Sequence, residues 1–72
     1  MTREEKLQAI ADSVEMEPGD ITEDTVLSEL ENWDSVAVLS IIAVINEQFN
    51  RFPGSDEILS YRTVNDLMAA ME

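Results

Sequence analysis

The sequence predicts an all-α fold, a small four-helix bundle of three main helices plus one short helix, with a long first loop. Three observations point to it. Apolar residues recur at helical spacing near both ends of the chain. The near-apolar run from Val36 to Ile45 continues its pattern to Phe49, too long for an average strand. Finally, 72 residues with no cysteine and no histidine leave room for one core, held by packed apolar side chains that make up 44% of the chain. Residues 1–72 are therefore read as a single domain.

The elements follow in order. Thr2 and Glu5 fit a capping box, and Leu7, Ile10, Ala11 and Val14 give the first helix one apolar stripe. Pro18-Gly19 is expected to stop it. From Met16 to Trp33 there is no sustained period, so this stretch is read as a long loop pinned to the core by Ile21, Val26, Leu27 and Leu30. A loop of that length in a small domain is more often functional than idle. Val36–Ile45 is rich in β-branched residues, yet helix is favoured, with Asp34 or Ser35 as N-cap. On a helical wheel Val38, Ile41, Ile42, Ile45 and Phe49 share one face, while Val36, Ser40, Ala43 and Glu47 share the other. That second face is small and mildly apolar where a solvated helix would be charged, which suits a helix buried more than usual or a docking face. Asn50 to Gly54 is a turn, and Ser55-Asp56-Glu57 is expected to cap a short helix through Ser60-Tyr61. A last helix starts near Thr63 with Val64, Leu67, Met68 and Met71 facing inward.

Composition excludes several functions. Sixteen acidic against four basic residues give a formal net charge of -12. A phosphate backbone would be repelled, so no nucleic acid is expected as a partner. Without histidine or cysteine the chain lacks the usual neutral-pH acid/base group and the best side-chain nucleophile, so it is not read as an enzyme. No signal peptide is visible, and the ten-residue run Val36–Ile45 is about half of the roughly 20 residues that span a bilayer. A cytoplasmic monomer with no membrane contact is the expectation. The four basic residues, Arg3, Lys6, Arg51 and Arg62, leave Leu7 to Asn50 with none. Ten acids lie in that interval, and nine of them precede Ser35. This is either a solvated, self-repelling loop or a lure for basic partners.

The informative spot is Asn32-Trp33-Asp34-Ser35-Val36, where a serine meets the start of the strongest helix. A helix N-terminus presents free N–H groups and the positive end of the dipole, so a phosphate on that serine would be well placed. Taken alone, Asp34 or Ser35 would read as an ordinary cap. Here the chain resembles the acyl carrier protein family, small acidic helical domains that carry acyl groups on a 4'-phosphopantetheine arm. Asp34-Ser35-Val36 stands where the family has Asp-Ser-Leu. Asp24-Thr25-Val26-Leu27-Ser28-Glu29-Leu30 is similar to its Asp-Thr-x-Leu-x-Asp-Leu loop, and Thr63-Val64-Asn65-Asp66-Leu67 to the opening of its last helix.

The resemblance implies covalent 4'-phosphopantetheine, derived from coenzyme A, on Ser35. Asp34 would be the adjacent carboxylate that assists the phosphopantetheinyl transferase, through that enzyme's magnesium ion. No metal ligands of the chain's own are implied. Partner enzymes would read Trp33, Val36, Leu39, Ser40, Ala43 and Glu47. They would be acyl-activating, acyltransferase, ketosynthase or condensation-type enzymes with basic docking surfaces. The missing cysteine then fits, because the thiol arrives on the arm. Departures shape the rest of the expectation. Leu30-Glu31-Asn32-Trp33-Asp34-Ser35 lacks the glycine of many members and has an extra residue after Leu30. Where fatty-acid carriers place acids on the second helix, this chain has Ala37, Ser40 and Asn46, and only Glu47 remains acidic. That implies a stand-alone carrier for a specialised pathway: polyketide, hybrid peptide or modified acyl.

A calcium-binding alternative ranks below it. Residues 20–31, with Asp20, Thr22, Asp24, Ser28 and Glu31, match much of an EF-hand loop. Against it, Thr25 stands where the sharp turn needs glycine, and Pro18-Gly19 interrupts the leading helix.

At this charge, screening relieves self-repulsion. The melting temperature is therefore expected to rise from low to moderate salt, and on adding divalent cations. A midpoint indifferent to salt would contradict this.

Overall fold

The computed structural model describes residues 2–71. Helix α1 spans Arg3–Ser13, α2 Ser35–Phe49, α3 Ser55–Ser60 and α4 Val64–Ala70. This is the predicted all-α bundle of three main helices and one short one. Helix α2 packs against both α1 and α3, and α4 closes against α1.

Helix α1 opens on the predicted capping box. The Glu5 N–H donates to Thr2 Oγ1 at 3.2 Å, and the Thr2 N–H donates to Glu5 Oε1 at 3.1 Å. That bond holds the Glu5 carboxyl below the usual carboxylate range. The helix does not run to Pro18-Gly19, which corrects the expected stop. It ends at Ser13, where the Met16 N–H donates to the Ala11 carbonyl at 2.9 Å and the Glu15 N–H to Asp12 at 3.3 Å. This is the Schellman pairing, with Glu15 in the left-handed region at φ 58. Pro18 instead starts a separate 3₁₀ turn, Pro18–Asp20, which its fixed φ favours.

The long loop is anchored by side chains and backbone together. Ile21 and Leu27 are fully buried, while Val26 and Leu30 are half-buried. A second 3₁₀ turn covers Leu27–Glu29. Val26 and Thr63 form an isolated antiparallel bridge, in which the Leu27 N–H donates to the Arg62 carbonyl at 2.8 Å and the Val64 N–H to Thr25 at 3.0 Å. Arg3 of α1 and Glu23 of the loop form an ion pair. The loop is thus tied to the starts of both terminal helices.

Helix α2 supplies the middle of the core. Val38, Ile41 and Ile45 are buried as predicted, Ala37 joins them, and Ile42 and Phe49 are half-buried. They meet Ile10 and Ala11 of α1, Ile58 of α3 and Val64, Leu67 and Met68 of α4. Asn50 ends α2 in the left-handed conformation at φ 54, which asparagine tolerates. Helix α3 differs slightly from expectation: Gly54 occupies the cap position with no side-chain bond, and Ser55 is already helical. Helix α4 begins on a second capping box between Thr63 and Asp66. The N–H groups of Thr63 and Arg62 both donate to the Asp66 carboxylate and hold its pKa below the ordinary value.

Two positions run against local preference. Among the described residues, one buried side-chain polar atom lacks a hydrogen bond, Asn46 Oδ1 on α2. Such an atom typically costs about 1–3 kcal/mol. The other is Glu15, an L-residue at a position that glycine adopts without steric penalty. Replacing it by glycine, Glu15→Gly, is expected to raise stability by about 0.5–1 kcal/mol, read from the urea midpoint at constant slope. A lowered midpoint would show that the Glu15 side chain stabilises more than its backbone strains.

Candidate functional site

The site is built at the start of α2. Asp34 lies in the extended region, and its Oδ1 accepts from the Ala37 N–H at 3.0 Å. Of the two candidates, Asp34 is therefore the N-cap and Ser35 the first helical residue. The Val38 N–H closes the first turn on the Asp34 carbonyl at 3.0 Å. The N–H groups of Ser35 and Val36 have no partner among the described residues. The Asn32 side-chain amide donates to the Val14 carbonyl at 3.3 Å, and so fastens the chain just ahead of Asp34 to the end of α1. Ser35 itself is exposed.

The two flanks of Ser35 differ in chemistry. Toward α3, a largely apolar groove of about 320 Å³ is lined by Asp34, Ser35, Val38, Leu39, Ser55 and Leu59. Leu39 and Leu59 are 62% and 58% exposed, so a group entering this groove would meet apolar side chains. Toward α1 and the loop, a hollow of about 220 Å³ has Glu15, Asn32 and Asp34 on its wall. Glu15 also borders a neighbouring hollow with Glu29 and Glu31. One side of the serine is oily and the other is acidic.

The remaining predicted residues divide between faces. Val36 (67% exposed), Ala43 and Glu47 form the outward face of α2. Ser40 is partly covered. With Ala43 and Glu47 it lines a groove of about 400 Å³ against α1, where Ala9 and Asp12 form the opposite wall. Trp33 is half-buried against the core and lines neither groove. Sequence reasoning brought Asp34, Ser35 and Leu39 to one place but missed Leu59, Ser55 and the Asn32 tether. Leu59 carried little signal: beside Ile58 in a six-residue helix it could equally have faced the core, as the adjacent Leu67 and Met68 both do, and only the packing of α3 on α2 turns it outward.

The EF-hand alternative fails on this geometry. Residues 20–31 hold a 3₁₀ turn and a β-bridge, and no helix leads into them from Asp20. Among the described residues, no three acidic side chains converge to hold a metal ion. Also among the described residues, no helix is long and apolar enough to cross a membrane.

The arrangement tests well against a phosphorylated group on Ser35. Its hydroxyl is accessible, two free N–H groups and the helix dipole favour an anion beside it, and the adjoining groove suits an apolar chain. These are the features of a small helical carrier, a protein that holds a group for other enzymes. The family model for the phosphopantetheine attachment site matches residues 5–71, so the chain belongs to that family. No curated protein and no solved structure matches it. The chain is thus a phosphopantetheine-carrying carrier protein, and a non-catalytic one. Its prosthetic group is covalent 4'-phosphopantetheine, which supplies the thiol the sequence lacks. Its interactions include a phosphopantetheinyl transferase and biosynthetic enzymes.

The Asp34 cap is expected to be separable from any chemistry at Ser35. Asp34→Ala should cost about 1 kcal/mol of stability and Asp34→Asn much less, measured by urea unfolding. Equal losses in both variants would show that the carboxylate charge, rather than the capping bond, is what the fold uses.

Proposed function

We propose that Ser35 receives the arm and that the chain tethers acyl intermediates there as thioesters for a specialised pathway, with residues 1–72 acting as one carrier domain. The observation that carries this reading is the exposed Ser35 hydroxyl at the first position of α2, capped by Asp34 and opening onto the apolar groove toward α3. Asp34 is the carboxylate presented to the transferase beside the hydroxyl.

Partner docking follows the division of charge. The outward face of α2 offers Val36, Leu39 and Ala43 with Glu47 as its one acid, Ser40 sits at its α1 edge, and Trp33 flanks its start. Glu15, just past the end of α1, shares a hollow with Val36 of this face, and Glu29 and Glu31 of the loop border the next hollow beyond it. A partner therefore meets an apolar patch with its centre and acids with one rim. That pattern suits acyl-activating, acyltransferase, ketosynthase or condensation-type enzymes whose basic residues stand to one side of the docking spot. The sparse charge on α2 favours a polyketide, hybrid peptide or modified acyl route over a general fatty acid synthase.

Incubation with coenzyme A, magnesium and a broad-specificity transferase should add one phosphopantetheine to the intact mass. Ser35→Ala should abolish the gain. An unmodified wild-type protein alongside a modified control carrier would refute the reading.

A further inference from the structure

The approach to Ser35 is hydrogen-bonded to the rest of the fold by one side chain. Among the described residues, the backbone hydrogen bonds from Ser28 to Asp34 stay within the loop or run on into α2. The Asn32 side chain is the exception: its amide donates to the Val14 carbonyl at 3.3 Å, a residue 18 positions earlier. Val14 is the fully buried C-cap of α1, and its carbonyl is among those a helix end leaves without an intrahelical donor. Asn32 also reaches forward, because its own carbonyl accepts the Asp34 N–H at 3.0 Å. Asp34 in turn caps α2 through the Ala37 N–H at 3.0 Å. A continuous line of hydrogen bonds therefore runs from the end of α1, through Asn32 and Asp34, to the turn that carries Ser35. The hollow of about 220 Å³ on this seam takes Ser13 and Glu15 from the α1 side, Val36 and Ala37 from α2, and Asn32 and Asp34 from the chain between.

We propose that Asn32 is a positioning residue for transfer of the arm, holding the Asp34 carboxylate and the Ser35 hydroxyl in the one arrangement the transferase binds. The proposal rests on Ser35 being the attachment residue. In the transfer, Ser35 Oγ bonds to the pantetheine-side phosphorus of coenzyme A while its proton passes to a base on the transferase, and the P–O bond to adenosine 3',5'-bisphosphate breaks. Asn32 takes no part in these bonds and acts beforehand, in the free carrier. Without its side-chain bond the stretch keeps its packing through Leu30 and Trp33 but samples other arrangements, so the transferase draws on a smaller competent fraction. The loss belongs in KM. Once the complex has formed, the partner's contacts hold the segment and kcat is unaffected.

The test follows transfer from coenzyme A by a broad-specificity transferase over a range of concentrations of the full chain. A wild type that takes up no arm, or takes it up on a residue other than Ser35, would remove the underlying reading. Given loading at Ser35, Asn32→Ala and Asn32→Leu (the second of similar bulk) should raise KM roughly five-fold, the equivalent of one hydrogen bond of ordinary net strength, with kcat unchanged. Thr63→Ala removes the capping hydroxyl of α4 and so destabilises the fold away from Ser35; it should leave KM as it is. Amide hydrogen exchange in the unmodified carrier separates positioning from direct contact with the transferase. The Asp34 and Ala37 N–H groups should exchange about five-fold faster in both Asn32 variants, and at the wild-type rate in Thr63→Ala. Circular dichroism confirms the fold of all three. A KM that does not move, that moves equally in Thr63→Ala, or that rises while Asp34 and Ala37 exchange as before would overturn the proposal. So would a fall in kcat alone, which would put Asn32 in the chemical step.

Discussion

The burial of one face of α2 is the constraint on which the rest depends. Val38, Ile41 and Ile45 are the meeting point for side chains from α1, α3, α4 and the loop. They set the rotation of the helix about its axis, and every other α2 residue then has a fixed direction. Ser35 and Leu39 turn toward α3, Ser40 toward α1, and Val36 and Ala43 toward solvent. With no disulfide to brace it, this apolar contact is the main source of both stability and site geometry.

Local bonds convert that rotation into a defined site. Asp34 caps the first turn, and Asn32 holds the approaching chain to the end of α1. The β-bridge at Val26 and Thr63 fixes the loop at its midpoint. The serine is therefore exposed without sitting on a free loop. The charge is arranged around it asymmetrically. Acids gather on the loop side and an apolar groove opens on the other, so a net charge of -12 is compatible with an outward face of α2 on which Glu47 is the one acid.

Much of this was legible in the sequence because helix periodicity and capping are local. The Thr2–Glu5 box, the stripe of α2 and the Thr63 start of α4 are each written within a few residues. The end of α1 was misjudged for a physical reason. Pro18-Gly19 is a strong local breaker, but the helix ended earlier on a Schellman turn with Glu15, a residue whose identity gives no hint of left-handed backbone. The groove was only half legible. Ser35 and Leu39 could be placed on one helix, but Leu59 joins them through packing between helices far apart in sequence. The EF-hand spacing was a coincidence of composition. An acidic loop meets many carboxylate patterns, and among the described residues no three of these groups are placed to hold a metal ion.

Mapping the residue that receives the arm tests this arrangement most directly. The chain has six serines: Ser13, Ser28, Ser35, Ser40, Ser55 and Ser60. After transfer from coenzyme A, cleavage at acidic residues and fragmentation of the peptides should place the whole of the phosphopantetheine on Ser35. Modification of any other serine, including Ser40 one and a half turns along the same helix, would contradict a site defined by the capped start of α2.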